Sequence, residues 1–243
     1  MTLVYGVNAV AEAVRAGRAS ELVVQLPHGE RVAQVVAEAR SAGVPVRTAG
    51  PDAFKRLVAV DGHQGIAARV RSAPAVSLAD MVGLSVGPPL IVVLDGVEDP
   101  HNVGAILRSV HAAGATGLVR QTRRAAPLDG AAAKASAGAV HHVPVADVVN
   151  IARALDELGD LGVWTVGLDA AAELHYDELD LTLPTALVVG AEGSGLRRLV
   201  RERCDQLASI PMRGRLGSLN VSVAAAVFLF EAVRQRDRGR PGA

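Results

Sequence analysis

Three stretches of this 243-residue chain place polar side chains where strands run into helices. The first is "DGVEDPHNVGAILRSVHAAG", in which an apolar strand ends and a helix begins. Asn102 is placed to cap that helix, because an asparagine oxygen accepts from a free amide of the first turn. Gly104 permits close approach of another group. Taking Val103, Ile106, Leu107 and Val110 as the buried stripe puts Arg108 off it. The arginine is then either a solvated cation or a donor aimed at an anion. The second stretch, "VVGAEGSGL", alternates glycines with Glu192 and Ser194. Glycine there lets backbone groups face a ligand, and a carboxylate in such a turn can orient a polar partner. The third, "IPMRGRLGSLNVS", is a basic loop whose Ser218 and Asn220 open the last helix. Capping accounts for one of the two, not both.

Other chemistries find less support. The glycines of the second stretch are not followed by lysine and serine or threonine, and the dinucleotide-binding spacing is absent. The single cysteine, Cys204, cannot form an internal disulfide and reads as an idle thiol in a reducing compartment. His141 and His142 lack a carboxylate or cysteine at ligand spacing, so they read as a surface pair rather than a metal site. His63 and His111 read as structural. Serine, histidine and aspartate form no recognisable triad by spacing. Basic and acidic residues balance at 25 each, so any anion-binding surface must be local. Arginines cluster in 120–124, 197–203 and 213–215 and again after Arg234, where they are either solvated faces or phosphate contacts. Only six aromatic residues occur, which argues against stacking platforms for single-stranded bases. The chain has no basic leader ahead of an apolar run and no apolar span of about 18 residues, so a cytoplasmic protein is expected.

The elements that must hold the three stretches follow from periodicity. Val7, Val10, Ala11 and Val14 mark a helix, "ELVVQ" a strand, Val32, Val35, Val36 and Ala39 a second helix, and "VPVRT" a second strand. "DAFKRLVA" and "QGIAARV" complete a small α/β domain over 1–72. Residues 73–88 mix serine, proline and glycine and read as a linker. From Pro89 onward "LIVVLDGV" is the kind of run expected of a strand buried on both faces. Strand and helix patterns then alternate, which implies a largely parallel sheet covered by helices over 89–243. The last helix is expected to bury Val223, Val227, Phe230 and Val233 on one stripe. In such sheets ligands bind beyond the carboxyl ends of the strands, where all three polar stretches lie.

Together, "DPHNVGAILRSVHAAGA", "VVGAEGSGL" and "IPMRGRLGSLNVSVAAAVFLFE" resemble the three motifs of the SpoU class of RNA ribose 2'-O-methyltransferases, in the SPOUT superfamily. "YGVNAVAEAVRAG" and "DGHQGIAARV" resemble the small, ribosomal-protein-like substrate-binding domain that precedes the catalytic domain in the RlmB-like subgroup. "KASAGAVHHVPV" fits as well. The resemblance implies an α/β fold in which a mostly parallel sheet with helices on both faces is tied in a trefoil knot, and a homodimer. It implies S-adenosylmethionine as cofactor, held largely through backbone groups at Gly190, Ile210 and Leu219, and no metal. Asn102 and Arg108 fall on the polar pair of the first motif, Glu192 on the acid of the second, and Ser218 and Asn220 on the pair of the third. The implied substrate is structured RNA, and the separate amino-terminal domain favours a guanosine of 23S ribosomal RNA. Transfer RNA and a ribosomal site that confers antibiotic resistance are the alternatives within the class. A non-catalytic RNA-binding ribosome-assembly protein is the alternative outside it, with a nucleotide-binding Rossmann protein disfavoured by its missing fingerprint.

Overall fold

The amino-terminal apolar positions build a four-stranded sheet flanked by helices. Its elements are Thr2–Tyr5 (β1), Val7–Arg15 (α1), Ala19–Gln25 (β2), Glu30–Ser41 (α2), Val46–Ala49 (β3), Pro51–Leu57 (α3) and Ile66–Val70 (β4). The strands lie in the order β1-β4-β2-β3, with β4 antiparallel to β1 and β2, and β3 parallel to β2. The computed structural model describes residues 1–59, 62–71, 74–123 and 125–238. Strand β1 is absent from the periodicity: four residues are too few to show an alternating pattern, and pairing with β4 is what holds them extended. Gly6, at φ +92°, turns the chain from β1 into α1, and the Val7 amide donates to Gln64 Oε1 at 2.9 Å. That bond ties "YGVNAV" to "DGHQG".

The remaining elements are Leu78–Gly83 (α4), Leu90–Asp95 (β5), Pro100–Ala112 (α5), Gly117–Gln121 (β6), Gly130–Ala135 (α6), Val145–Val148 (β7), Ile151–Asp160 (α7), Trp164–Leu168 (β8), Thr185–Gly190 (β9), Arg198–Arg203 (α8), Gln206–Ala208 (β10) and Val221–Arg238 (α9). Six strands form one sheet in the order β10-β8-β9-β5-β6-β7, and every pairing in it is parallel. The expected mostly parallel α/β sheet is therefore present. Each residue of β5 is buried. Ile91 and Val93 face a core shared with α4, α7 and α8. The opposite face is covered by α5 and α9, which contact β6, β9 and each other.

Contacts divide the chain into Met1–Pro74 with Pro127–His142, and Ala75–Ala126 with the chain from Val143 onward. Most of the stretch expected to be a linker, from Ala75 onward, therefore belongs to the second unit. Ser77 caps α4, whose Leu78 and Met81 are buried in the core of the second unit. Helix α6 lies between β6 and β7 in sequence yet packs on β1 and α1 of the first unit, burying Ala132 and Ala133. Its small residues lack the spaced large apolar side chains that announce a helix. The histidines that follow are not a surface pair. His142 Nε2 lies 2.9 Å from Glu12 Oε2, whereas both ring nitrogens of His141 are buried without a hydrogen-bond partner among the described residues. Burial, reinforced by the nearby Arg18, pushes the His141 imidazole down to about 4.

Two other expectations change. Helix α9 buries Val221, Ala225, Phe228, Leu229 and Ala232, so the stripe carrying Val223 and Phe230 faces outward. The helix is apolar nearly all round, and periodicity could not choose its buried face. Most clustered arginines are engaged inside the fold. Arg120 binds Asp147 and the Ala126 carbonyl. Arg203 pairs with Asp156, and Arg236 donates to the carbonyls of Pro88, Pro89, Leu181 and Leu183. Arg108, Arg213 and Arg215 have no hydrogen bond or ion pair with a described residue. Arg124 and Arg240 lie outside the described residues.

Candidate active site

Parallel strands deliver successive loops to one edge of a sheet. In the pairing of β5 with β9, Asp95 lies opposite Gly190, so the first and second polar stretches leave the sheet side by side. Strand β10 pairs with β8, which pairs with β9, and leads into the third.

The first loop is capped differently from expectation. The Asp99 carboxylate accepts from the His101 amide at 3.0 Å, Pro100 is the first residue of α5, and Asn102 lies inside the helix. Asn102 is not a cap because Asp99, three residues earlier, already serves as one with proline behind it. Its side chain, in a residue only 8% exposed, is free to point at another loop. Asn102 Oδ1 accepts from Asn220 Nδ2 at 2.9 Å, and the same Asn220 amide donates to Glu192 Oε1 at 2.5 Å. Asn220 also caps α9, its Oδ1 accepting from the amide and hydroxyl of Ser222 at 2.9 and 2.6 Å. One asparagine thus joins all three stretches. Ser218 lies just before this cap and lines the adjacent cavity. Arg108 is exposed and stands outside the hydrogen-bonded trio.

Beside the trio is a cavity of about 430 Å³, lined in part by Glu192, Ser218, Gly190, Ile210 and Leu219. All three residues expected to bind a cofactor through backbone groups therefore face one space. Gly190 is required by a close approach: a Cβ there would overlap the Gly195 carbonyl and the Leu196 amide nitrogen. The second loop doubles back across the end of β9, with the Gly195 amide donating to the Ala191 carbonyl at 2.9 Å. Gly193 and Gly195 take positive φ to complete the turn.

Sequence reasoning missed two acid–arginine pairs that brace the site. Asp95, whose side chain is fully buried, accepts from the Arg197 amide at 2.7 Å and from Arg197 Nε at 2.6 Å. Arg197 also reaches Gln121 Oε1 at 2.8 Å, which pins the exit of the second loop to the ends of β5 and β6. Asp169, just past β8, accepts from Arg201 Nε at 2.6 Å and from the Ala171 amide at 2.9 Å. These two donors hold the Asp169 carboxyl below its ordinary range. A signal was available: each aspartate closes an apolar strand run, "IVVLD" and "TVGLD". Cys204 donates to the Val200 carbonyl, and burial, with Asp205 and Asp95 nearby, pushes its thiol up to about 12. Among the described residues, no cluster of histidine, cysteine or carboxylate side chains could hold a metal ion. No described helix is long and apolar enough to cross a membrane.

Comparison with known proteins gives this geometry a context. The SpoU rRNA methylase family model matches residues 89–230, and a model for RNA 2'-O ribose methyltransferase substrate binding matches residues 3–75. The 23S rRNA (guanosine-2'-O-)-methyltransferase RlmB of Xanthomonas campestris is 43% identical over 239 residues, 96% of each chain. RlmB of Yersinia pestis is also 43% identical, over 96% of this chain and 97% of its own. The crystal structure of the SpoU methyltransferase AviRb from Streptomyces viridochromogenes, in complex with the cofactor AdoMet, superposes with a TM-score of 0.82. It is 29% identical and covers 98% of this chain and 91% of its own. With both parts of the chain matched and the three polar stretches joined at one sheet edge, this protein belongs to the SpoU family of RNA 2'-O-ribose methyltransferases.

Proposed function

We propose that this protein is an S-adenosylmethionine-dependent methyltransferase acting on the ribose 2'-hydroxyl of a guanosine in 23S ribosomal RNA. The observation that carries the reading is the Asn102–Asn220–Glu192 chain at the lip of a cavity lined by Gly190, Ile210 and Leu219. Relatives that align over nearly the full length bear the 23S rRNA guanosine activity in their names.

The cavity fits the cofactor in size and chemistry. Its volume falls within the roughly 300–1,000 Å³ of pockets that take small ligands. Leu168, Val189, Ala208 and Ala224 offer apolar contact for an adenine, and the crowded turn at Gly190 brings backbone groups to the surface. Bound there, S-adenosylmethionine supplies a methyl group activated by a sulfonium, which the ribose oxygen takes as the thioether leaves.

The chain's own residues position the acceptor and manage its proton. A guanidinium is a donor that stays protonated in proteins, so Arg108 is no ordinary base. In this reading Arg108 grips the phosphate beside the target ribose and stabilises the developing alkoxide, while that phosphate or a neighbouring polar group relays the proton. Asn102, Glu192, Ser218 and Asn220 orient the ribose; the structure shows no hydrogen bond from them to Arg108. Arg108 has no hydrogen bond or ion pair with a described residue, which suits this role, and the same holds of Arg213 and Arg215, placed here on RNA phosphates. The 1–72 domain is the RNA-binding part, with 89–243 as the catalytic part and the protein working in the cytoplasm.

Two further features belong to the same reading. The outward Val223, Val227 and Phe230 face of α9 is the seat of a second copy, making the working form a homodimer; Val223 is 47% and Phe230 50% exposed. The chain is threaded as a trefoil knot, a reading supported by the second loop's closure against Gly190 and by the return of α9 onto α5. Incubation with S-adenosylmethionine and 23S rRNA from cells lacking the enzyme, followed by mapping of ribose methylation, tests the function. A single new 2'-O-methylguanosine in 23S rRNA is expected. Methylation of transfer RNA alone, or none with any RNA, overturns the proposal.

A further inference from the structure

The cavity has two chemically different ends. Glu192 is engaged by Asn220 at the end facing Asn102. The strand order β8-β9-β5 puts the loop after β8, with Asp169, on the opposite side of the β9 loop from Asn102; there Asp169 holds Arg201, the one cationic side chain among the described residues that line the cavity. Its Nε is fixed by Asp169 Oδ2 at 2.6 Å, while Asp169 Oδ1 is taken by the Ala171 amide at 2.9 Å. The two Nη groups of Arg201 have no hydrogen bond to a described residue. A guanidinium anchored at Nε presents its remaining edge as a preset fork, the geometry that a carboxylate accepts in paired hydrogen bonds. The cofactor of the proposed reaction ends in an amino acid, with one carboxylate and one ammonium.

We propose that Arg201, aimed by Asp169, receives the α-carboxylate of the cofactor's amino-acid tail, placing that tail at the Asp169–Arg201 end of the cavity. This rests on the reading of the cavity as the S-adenosylmethionine site. The ammonium of the tail then lies beside the Asp169 charge, and the adenosyl group fills the apolar stretch between the two ends. Asp169 is a positioning residue and Arg201 a binding residue; neither meets the transferring methyl.

The test uses two ligands that differ only in the tail. S-adenosylhomocysteine carries the amino acid and 5'-methylthioadenosine lacks it. Calorimetric titration of the full chain is expected to show Arg201→Ala and Arg201→Gln binding S-adenosylhomocysteine about tenfold more weakly, with 5'-methylthioadenosine changed by no more than about twofold. Arg201→Lys should recover part of the loss, since a point charge replaces the fork. Unchanged S-adenosylhomocysteine affinity in Arg201→Ala overturns the proposal. So does an equal loss for both ligands, which marks a structural role or a contact with the adenosyl group. Failure of the unaltered protein to bind either ligand overturns the functional reading itself, and this inference with it.

Discussion

The two ends of the cavity are built on different principles. At one end three side chains from three loops bond to one another: Asn102 is buried within α5, Glu192 and Asn220 are exposed, and Asn220 is spent in part on capping α9. At the other end an ion pair holds Arg201, whose side chain is 48% exposed. The first end depends on shape, the second on charge that solvent and salt can screen. Damage to the first should therefore reach the chemical step, and damage to the second should show chiefly as affinity. A third device is the Asp95–Arg197 pair, which anchors the second loop through a carboxylate wholly removed from water.

That anchor offers the largest break. Arg197→Ala leaves Asp95 buried without its cation, and a stability loss of about 3 kcal/mol is expected in chemical denaturation. Gly190→Ala comes next. A methyl driven into the Gly195 backbone should cost about 1–3 kcal/mol and abolish measurable binding of S-adenosylhomocysteine. Normal binding by this variant would show that the second loop can yield, and that its closeness is not what shapes the cavity. Asn220→Ala removes a helix cap worth about 1 kcal/mol. Methyl transfer should fall far more than the ordinary loss of a cap explains, because the bonds to Asn102 and Glu192 go with it.

A smaller effect, in the first unit, serves as a contrast outside the cavity. His141 is held neutral, near 4 against 6.5 for the free side chain, so the unfolded chain takes up a proton before the folded one does. Stability from this group is present above pH 6.5 and drains away as pH falls toward 4. His141→Phe should flatten that slope in thermal melts without altering cofactor affinity. An unchanged slope would show that other groups govern the acid sensitivity.

Much of this arrangement is legible in the sequence, but unevenly. The buried parallel strands are evident because a short, continuous apolar run such as Leu90–Leu94, closed by a glycine-bearing loop, suits a strand covered on both faces. Polar residues in the loops after those strands stand out against such runs, and Asn102, Glu192 and Asn220 do meet. What escapes are features that exist only through distant partners. Strand β1 is extended because β4 pairs with it, and α6 is helical where small residues press onto the first unit. Asp95 and Arg197 are 102 positions apart, and no local pattern joins them. The buried stripe of α9 is not legible because a helix apolar on both sides carries no record of which side is covered. If the outward side is the dimer face, both stripes are buried in the working assembly. Val223→Asp would then yield monomers in sedimentation.

In the proposed reaction Arg108, exposed on α5 and without a hydrogen bond or ion pair to a described residue, acts on the transferring group rather than on the fold or the cofactor. Single-turnover methyl transfer to 23S rRNA, measured together with S-adenosylmethionine affinity in Arg108→Ala and Arg108→Lys, addresses it directly. The expected result for the alanine variant is transfer slowed by about 10²–10³-fold, with cofactor affinity and melting temperature close to those of the unaltered protein. The lysine variant should fall between, lacking the fork that grips a phosphate. Near-normal transfer by both variants would contradict the account.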